Sequence, residues 1–192
     1  RHRPGSRDGP RATARAAGGR GAGRLPDGAI EAWRVAVIGE QGSGEGLWVY
    51  SYGSLMWDPA FKFAEVRRAH APNHARKFIL KDTFGARGTP QTPGLMAALD
   101  DGPGCDGLAF LIGKEEVRHE SGVFWRRELL GFAYRPALIA VETGPGGVEA
   151  LTVVANHEAE MICPQITREE QYRYIAEGKG FLGSSLEYLE NI

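Results

Sequence analysis

The sequence predicts an α+β domain built on a mixed, curved, barrel-like β-sheet with flanking helices. Three observations carry this. Apolar runs of strand length, rich in β-branched and aromatic residues, fill the middle of the chain. The clear helix-start patterns, Thr167-Arg168-Glu169-Glu170 and the serines at 184 and 185, fall near its end. Strands and helices do not alternate as a doubly wound α/β fold requires. With 192 residues, 42% of them hydrophobic and 24% charged, the composition is that of one globular domain with a sizeable core and a tail.

The tail comes first. Residues 1 to 30 are dominated by Arg, Gly, Ala and Pro, and Arg1, Arg3, Arg7, Arg11, Arg15, Arg20 and Arg24 follow no helical or strand period. Such a segment cannot bury enough surface to offset its chain entropy, so it is expected to be disordered. Its Gly and Pro content argues against an amphipathic transit peptide; a nucleic-acid arm is the other functional reading. A single domain is expected over residues 31 to 192, truncated at its C-terminus because Ile192 falls inside an expected helix.

Ala32 to Ile38 fits a short strand or a helix end. Gln41 to Gly46 is a flexible lead into Leu47-Trp48-Val49-Tyr50-Ser51-Tyr52, an extended run broken by Gly53 and Ser54 and closed by Asp58-Pro59. Glu65 to Ala71 and Ala75 to Thr83 are extended runs joined at Pro72-Asn73. Gly85 to Gly94 is a long turn-rich loop. Leu95 to Leu99 and Leu108 to Ile112 are strands flanking an expected hairpin connection at Asp100 to Gly107. Lys114 to Leu130 has helical period, with Gly122 expected to split it and Gly131 to stop it. Tyr134 to Val141 and Val148 to Ala155 are strands around a Gly-Pro-Gly-Gly turn. A capped helix then runs from Thr167 to about Glu177, and Ser184 or Ser185 caps another.

Several patterns suggest chemistry and fail on context. Gly102-x-Gly104-x-x-Gly107 has dinucleotide-loop spacing, but a strand follows it where a helix N-terminus would be needed. His70 and His74 have metal-ligand spacing, but Pro72 breaks the helix that would align them. His119 and His157 stand alone in sequence, so no metal site is expected. Ser54 lacks a nucleophile-elbow pattern, and Cys105 and Cys163 lack a basic setting. Two cysteines are too few for a disulfide framework and fit a reducing cytoplasm. A net charge of −1 gives no general pull toward nucleic acid or anionic membrane, and no apolar run is long enough to span a bilayer.

Two stretches keep a chemical reading open. The turn after Tyr52 either merely starts a sheet or points backbone N–H groups at a bound carboxylate or oxyanion. Glu128, in an apolar helical turn near a C-terminus, meets an unfavourable dipole end and low-dielectric neighbours. It is either a general acid/base with a raised pKa or a surface Glu paired with Arg126 or Arg127.

Taken together, Tyr52-Gly53-Ser54-Leu55-Met56-Trp57, Arg87-Gly88-Thr89-Pro90, Pro93-Gly94-Leu95, Gly104 to Phe110, Arg127-Glu128, Tyr134-Arg135-Pro136, Ala150-Leu151-Thr152, Gly180 to Ser185 and Glu187-Tyr188-Leu189 resemble the ChaC family of γ-glutamylcyclotransferases. The resemblance runs in unbroken order over about residues 47 to 190. It implies a cytoplasmic, cofactor-independent enzyme that cleaves glutathione by intramolecular cyclisation to 5-oxoproline and cysteinylglycine. On this reading Glu128 is the catalytic acid/base, the backbone of Tyr52, Gly53, Ser54 and Leu55 holds the γ-glutamyl unit, and Arg87 takes a substrate carboxylate. The partner is then a small molecule, with no nucleic acid or membrane. Where the family usually has Gly this chain has Ser51, and the segment from His157 to Pro164 departs from the family's commoner His and Tyr pattern. The alternatives are another γ-glutamyl amide as substrate, or a non-catalytic binding module of the same fold.

Overall fold

The structure is a computed structural model that describes residues 27–39, 46–128 and 132–192. In chain order its elements are α1 (Asp27–Ile38), β1 (Gly46–Ser51), β2 (Glu65–Ala71), β3 (His74–Asp82), β4 (Gly94–Asp101), β5 (Cys105–Gly113), α2 (Val117–Glu128), β6 (Tyr134–Thr143), β7 (Gly146–Ala155), α3 (Arg168–Glu177), β8 (Lys179–Gly180), β9 (Gly183–Ser184) and α4 (Ser185–Glu190). The first five-strand sheet closes on itself in the order β1-β5-β2-β6-β7. Four pairings are antiparallel: β1 with β5, β5 with β2, β2 with β6 and β6 with β7. A short parallel pairing, Trp48 opposite Ala150 and Val49 opposite Leu151, shuts the barrel. The fold class read from the sequence is the one found.

Strands β3 and β4 form a separate two-stranded sheet. The segment from Asp100 to Gly107 is therefore not a hairpin, because β4 and β5 pair with different partners. Instead β2–β3 and β4–β5 act as the two arms of one long antiparallel ribbon that bends sharply. Pro72-Asn73 and Gly102-Pro103-Gly104 make the bend, and the Gly102 N–H donates to the Asn73 carbonyl across it at 3.2 Å. A side chain at Gly102 would collide with Ala75, its Cβ only 2.2 Å away. The bend lets one ribbon serve both the barrel and the small sheet.

The barrel core is filled by inward residues such as Val49, Leu99, Ile112 and Leu151, all fully buried. Helix α2 packs its buried face, Val117, Ser121, Phe124 and Trp125, into this core. Phe124 meets Phe61 edge-on at 6.4 Å, and Phe61 meets Phe110 at 5.8 Å. Contrary to expectation, Gly122 does not divide α2. The anchored face outweighs a glycine's cost, about 1 kcal/mol in a helix interior. Gly131 lies outside the described residues.

Helix α1 begins at Asp27, four residues inside the stretch expected to lack structure; residues 1–26 lie outside the described residues. It packs against α2 and β6, resolving the choice at Ala32 to Ile38 in favour of helix. The expected capping box at Thr167 is present, and of the two serines offered as the cap of the last helix it is Ser184, also in a capping box. Thr167 caps α3 with Glu170, and Ser184 caps α4 with Glu187.

Candidate active site

A cavity of about 590 Å³ opens between the end of β1, the C-terminal end of α2 and the start of α4. That volume suits a small organic ligand. Its walls are assembled from distant parts of the chain, and the turn after β1 supplies one of them. Ser54 to Met56 form a 3₁₀ turn with Gly53 at its N-cap and no side chain capping it. The opening N–H groups of such a turn have no partner within it.

The turn is pinned from outside the cavity. The Arg76 guanidinium donates through Nε to the Tyr52 carbonyl at 2.6 Å and through Nη2 to the Asp106 carbonyl at 2.8 Å. Two residues earlier, in β1, the Thr152 hydroxyl donates to the Tyr50 carbonyl and the Tyr50 hydroxyl to the Cys105 carbonyl. Gly53 is required sterically, since a Cβ there would lie 2.6 Å from the Tyr188 hydroxyl oxygen. Ser51 is fully buried, lines the cavity, and takes no left-handed backbone conformation, so serine sits there without strain. Its hydroxyl has no hydrogen-bond partner among the described residues.

Glu128 closes α2 and lines the same cavity as Tyr52, Gly53, Ser54 and Leu55. Its side chain is only 15% exposed. Burial pushes its carboxyl up to about 7, partly opposed by the Arg127 guanidinium. Tyr52, Tyr134 and Tyr188 also line the cavity. Burial holds all three phenols above their ordinary range, and the nearby Glu128 carboxyl adds to the effect. They therefore stay protonated and can donate hydrogen bonds at neutral pH. The Tyr134 hydroxyl donates to the Ala97 carbonyl at 2.9 Å.

The cavity thus brings together Glu128 and the residues 52 to 55 named from sequence. Arg87 is elsewhere: it is not among the lining residues. Its guanidinium donates through Nη1 to the Ser184 carbonyl at 3.1 Å, lies 4.0 Å from the Glu187 carboxylate, and stacks 5.4 Å from the centre of the Tyr188 ring. Its loop is held by the buried Asp82 carboxylate, which accepts from the backbone N–H groups of Phe84, Arg87 and Gly88. From the far side the Ser185 hydroxyl donates to the Arg87 carbonyl and accepts from the Leu95 N–H.

Sequence reasoning had not marked Arg127, Tyr134, Tyr188, Met161 or Asp82 as site residues. Tyr134 and Tyr188 were visible only as members of matching motifs. Met161 comes from the atypical segment after His157, whose backbone lies along β3, with the Lys81 N–H donating to the Met161 carbonyl and the Cys163 N–H to the Ile79 carbonyl. The mouth is apolar and exposed at Phe84, Phe181 and Leu182.

None of the described histidines lines this cavity. His70 pairs with Asp106 and His157 with Asp100. His119 is not isolated in space: its ring lies with the carboxylates of Glu116 and Glu120 in a group whose potential ligand atoms are within 4.8 Å of one another. Both oxygens of Glu120 are already engaged, by the Lys62 N–H and by His119. Cys105 and Cys163 are unpaired. No helix among the described residues is long and apolar enough to cross a membrane.

The small closed barrel thus sets a shielded carboxyl, raised to about 7, beside an uncapped turn in a cavity of small-molecule size, the features of a site for proton transfer. The chain belongs to the ChaC-like protein family, whose profile matches residues 47–192. It is 31% identical over 153 residues to the glutathione-specific γ-glutamylcyclotransferase of Escherichia coli K12, a match covering 74% of this chain and 62% of that protein. It is 29% identical over 153 residues to the human glutathione-specific γ-glutamylcyclotransferase 1, covering 77% of this chain and 68% of the relative. The chain therefore spans somewhat under two thirds of the length of the bacterial relative. A crystal structure of the glutathione-specific γ-glutamyl cyclotransferase from yeast superposes with a TM-score of 0.70 at 21% identity, covering 77% of this chain and 85% of that one, which shows a shared fold.

Proposed function

We propose that this protein is a γ-glutamylcyclotransferase acting on glutathione, with Glu128 as its general acid/base. The carrying observation is the Glu128 carboxyl, held near 7 and lining one cavity with the turn from Tyr52 to Leu55. The family and its glutathione-specific members support the substrate.

The reaction needs no atoms beyond the substrate's own. The α-amine of the γ-glutamyl unit attacks its γ-carbonyl carbon, forming a C–N bond and a five-membered ring. Ionised Glu128 takes the proton that the amine loses and returns it to the nitrogen of the departing cysteinylglycine as the old C–N bond breaks. The products are 5-oxoproline and cysteinylglycine. With nucleophile and electrophile in one molecule, the protein's task is to fold the substrate into the near-attack shape and move the proton. A carboxyl titrating near 7 can both accept and donate at neutral pH. The uncapped turn would place N–H donors at the carbonyl oxygen as negative charge develops there. The protonated phenols of Tyr52, Tyr134 and Tyr188 add no negative charge of their own beside Glu128.

On this reading no cofactor or metal is used, the compartment is the cytoplasm, and neither nucleic acid nor membrane is a partner. Incubation with glutathione should release 5-oxoproline and cysteinylglycine in equal amounts, and Glu128→Gln should lose the activity by about 10²–10⁴-fold. Release from γ-glutamyl-alanine but not glutathione would redirect the substrate. Equal rates from wild type and Glu128→Gln would remove Glu128 from its role.

A further inference from the structure

Among the described cavity-lining residues, Arg127 is the one cation, set against the carboxyls of Asp58, Asp82 and Glu128. The other arginines near the site are spent elsewhere: Arg76 on the backbone carbonyls of Tyr52 and Asp106, Arg87 on the start of α4 and the ring of Tyr188. Arg127 is differently placed. Its Nη1 lies 3.2 Å from the Asp58 carboxylate, whose side chain is 68% exposed, and its Nε lies 3.5 Å from Oε1 of Glu128. Consecutive helical residues do not normally face each other. Here, at the last turn of α2, both reach the same cavity.

A γ-glutamyl compound carries its α-amine and α-carboxylate on one carbon. A guanidinium beside a carboxyl presents the complementary pair of charges at matching spacing. We propose that Arg127 binds the α-carboxylate of the substrate's γ-glutamyl unit, so that Arg127 and Glu128 together read the α-amino-acid head and deliver the amine to its base. This rests on the γ-glutamyl reading above. The fork geometry of Arg suits a carboxylate. Asp58, mostly in solvent, occupies one branch of that fork and is the group a substrate carboxylate displaces. The assignment also gives the neighbouring turn one task, the γ-carbonyl oxygen, rather than two.

The test uses the full chain and two substrates: glutathione, and its analogue in which the α-carboxylate of the γ-glutamyl unit is a carboxamide. Both can cyclise and both release cysteinylglycine, which is quantified. Assays are run well above pH 7, so that Glu128 is ionised whether or not Arg127 is present. Wild type should prefer the free acid on the order of 10- to 100-fold in kcat/KM. In Arg127→Met that preference should collapse toward unity, because only the acid loses a partner, and Arg127→Lys should retain part of it. A role for Arg127 confined to tuning Glu128 would slow both substrates alike and leave the preference intact, overturning the proposal. So would a wild type indifferent to the α-amide. If both variants fail to fold, the wild-type preference, together with tighter inhibition by 5-oxoproline than by 5-oxoprolinamide, decides the matter. Absence of cysteinylglycine from both substrates with wild type would instead sink the γ-glutamyl reading itself.

Discussion

The two ends of α2 each carry a shielded glutamate, and they behave oppositely. Glu120 sits in the first turn and is almost fully buried. Burial pushes its carboxyl up, but the Lys62 N–H, the His119 ring and the adjacent positive charges win, and it ends below the ordinary range. Glu128 sits at the last turn, where the Arg127 guanidinium opposes the rise too weakly, and its carboxyl reaches about 7. The helix dipole adds to the difference, favouring the anion at the N-terminus and opposing it at the C-terminus. Low surface exposure is common to both and does not separate them; the depth of desolvation and the supply of donors do. A carboxylate given hydrogen bonds becomes a structural anion, and one deeply desolvated with no such donor among the described residues becomes a proton carrier.

The contrast can be broken by mutation. The largest effect expected is the loss of turnover in Glu128→Gln, and wild-type kcat/KM should fall on the acid side with an apparent pKa of about 7. A flat profile across that region would show that another group carries the proton. Stability should move the other way. The folded state binds a proton at Glu128 between its ordinary 4.5 and about 7, so wild type loses stability as pH rises through that window. Glu128→Gln lacks this loss and should gain on wild type by up to about 3 kcal/mol between pH 4.5 and 8, read from paired thermal or urea melts.

Glu120→Ala should do the reverse. It orphans the Lys62 N–H and should cost about 1–3 kcal/mol at neutral pH while turnover per folded molecule stays near wild type. Because this carboxyl sits below its ordinary value, its contribution is present at neutrality and is lost as pH falls, so the two melting curves should converge in acid. His119→Ala should have the smallest effect. Its side chain is 73% exposed, and an exposed pair of this kind contributes about 0.2–1 kcal/mol. A loss in His119→Ala as large as that in Glu120→Ala would mean the pair, rather than the Lys62 N–H, holds the carboxylate.

How much of this was legible depended on the range of the interaction. Local chemistry read well: Thr167 with Glu170 and Ser184 with Glu187 are contacts three residues long, and both boxes are present. The strand runs were legible from side-chain type, but their partners were not. Nothing in Gly102-Pro103-Gly104 tells a hairpin from a ribbon bend, because the answer lies in Asn73, roughly thirty residues earlier. Gly122 misled because propensity is local, whereas Phe124 and Trp125 hold that turn through the core. In the site, Glu128 could be singled out from its apolar surroundings and dipole position, yet an even choice remained because burial is not written in one turn of sequence. Arg87 drew notice by charge and loop position. Its guanidinium is instead drawn to carbonyls, a carboxylate and a ring contributed by residues 184 to 188, a neighbourhood that only the folded chain reveals.

The mouth of the cavity is stitched from segments almost a hundred residues apart, with the Phe181 N–H donating to the Gly85 carbonyl and the Leu182 N–H to the Ala86 carbonyl. Tyr188 comes later still and packs on Gly53. During synthesis, then, the turn, Glu128 and Arg127 all leave the ribosome well before the wall that completes the cavity. A nascent chain can close its barrel once β7 is made, but it has no finished site until α4 docks. The order of the sequence delays the site until residues 181 to 188 are made, and the docking of one short helix is the step that sets it in place.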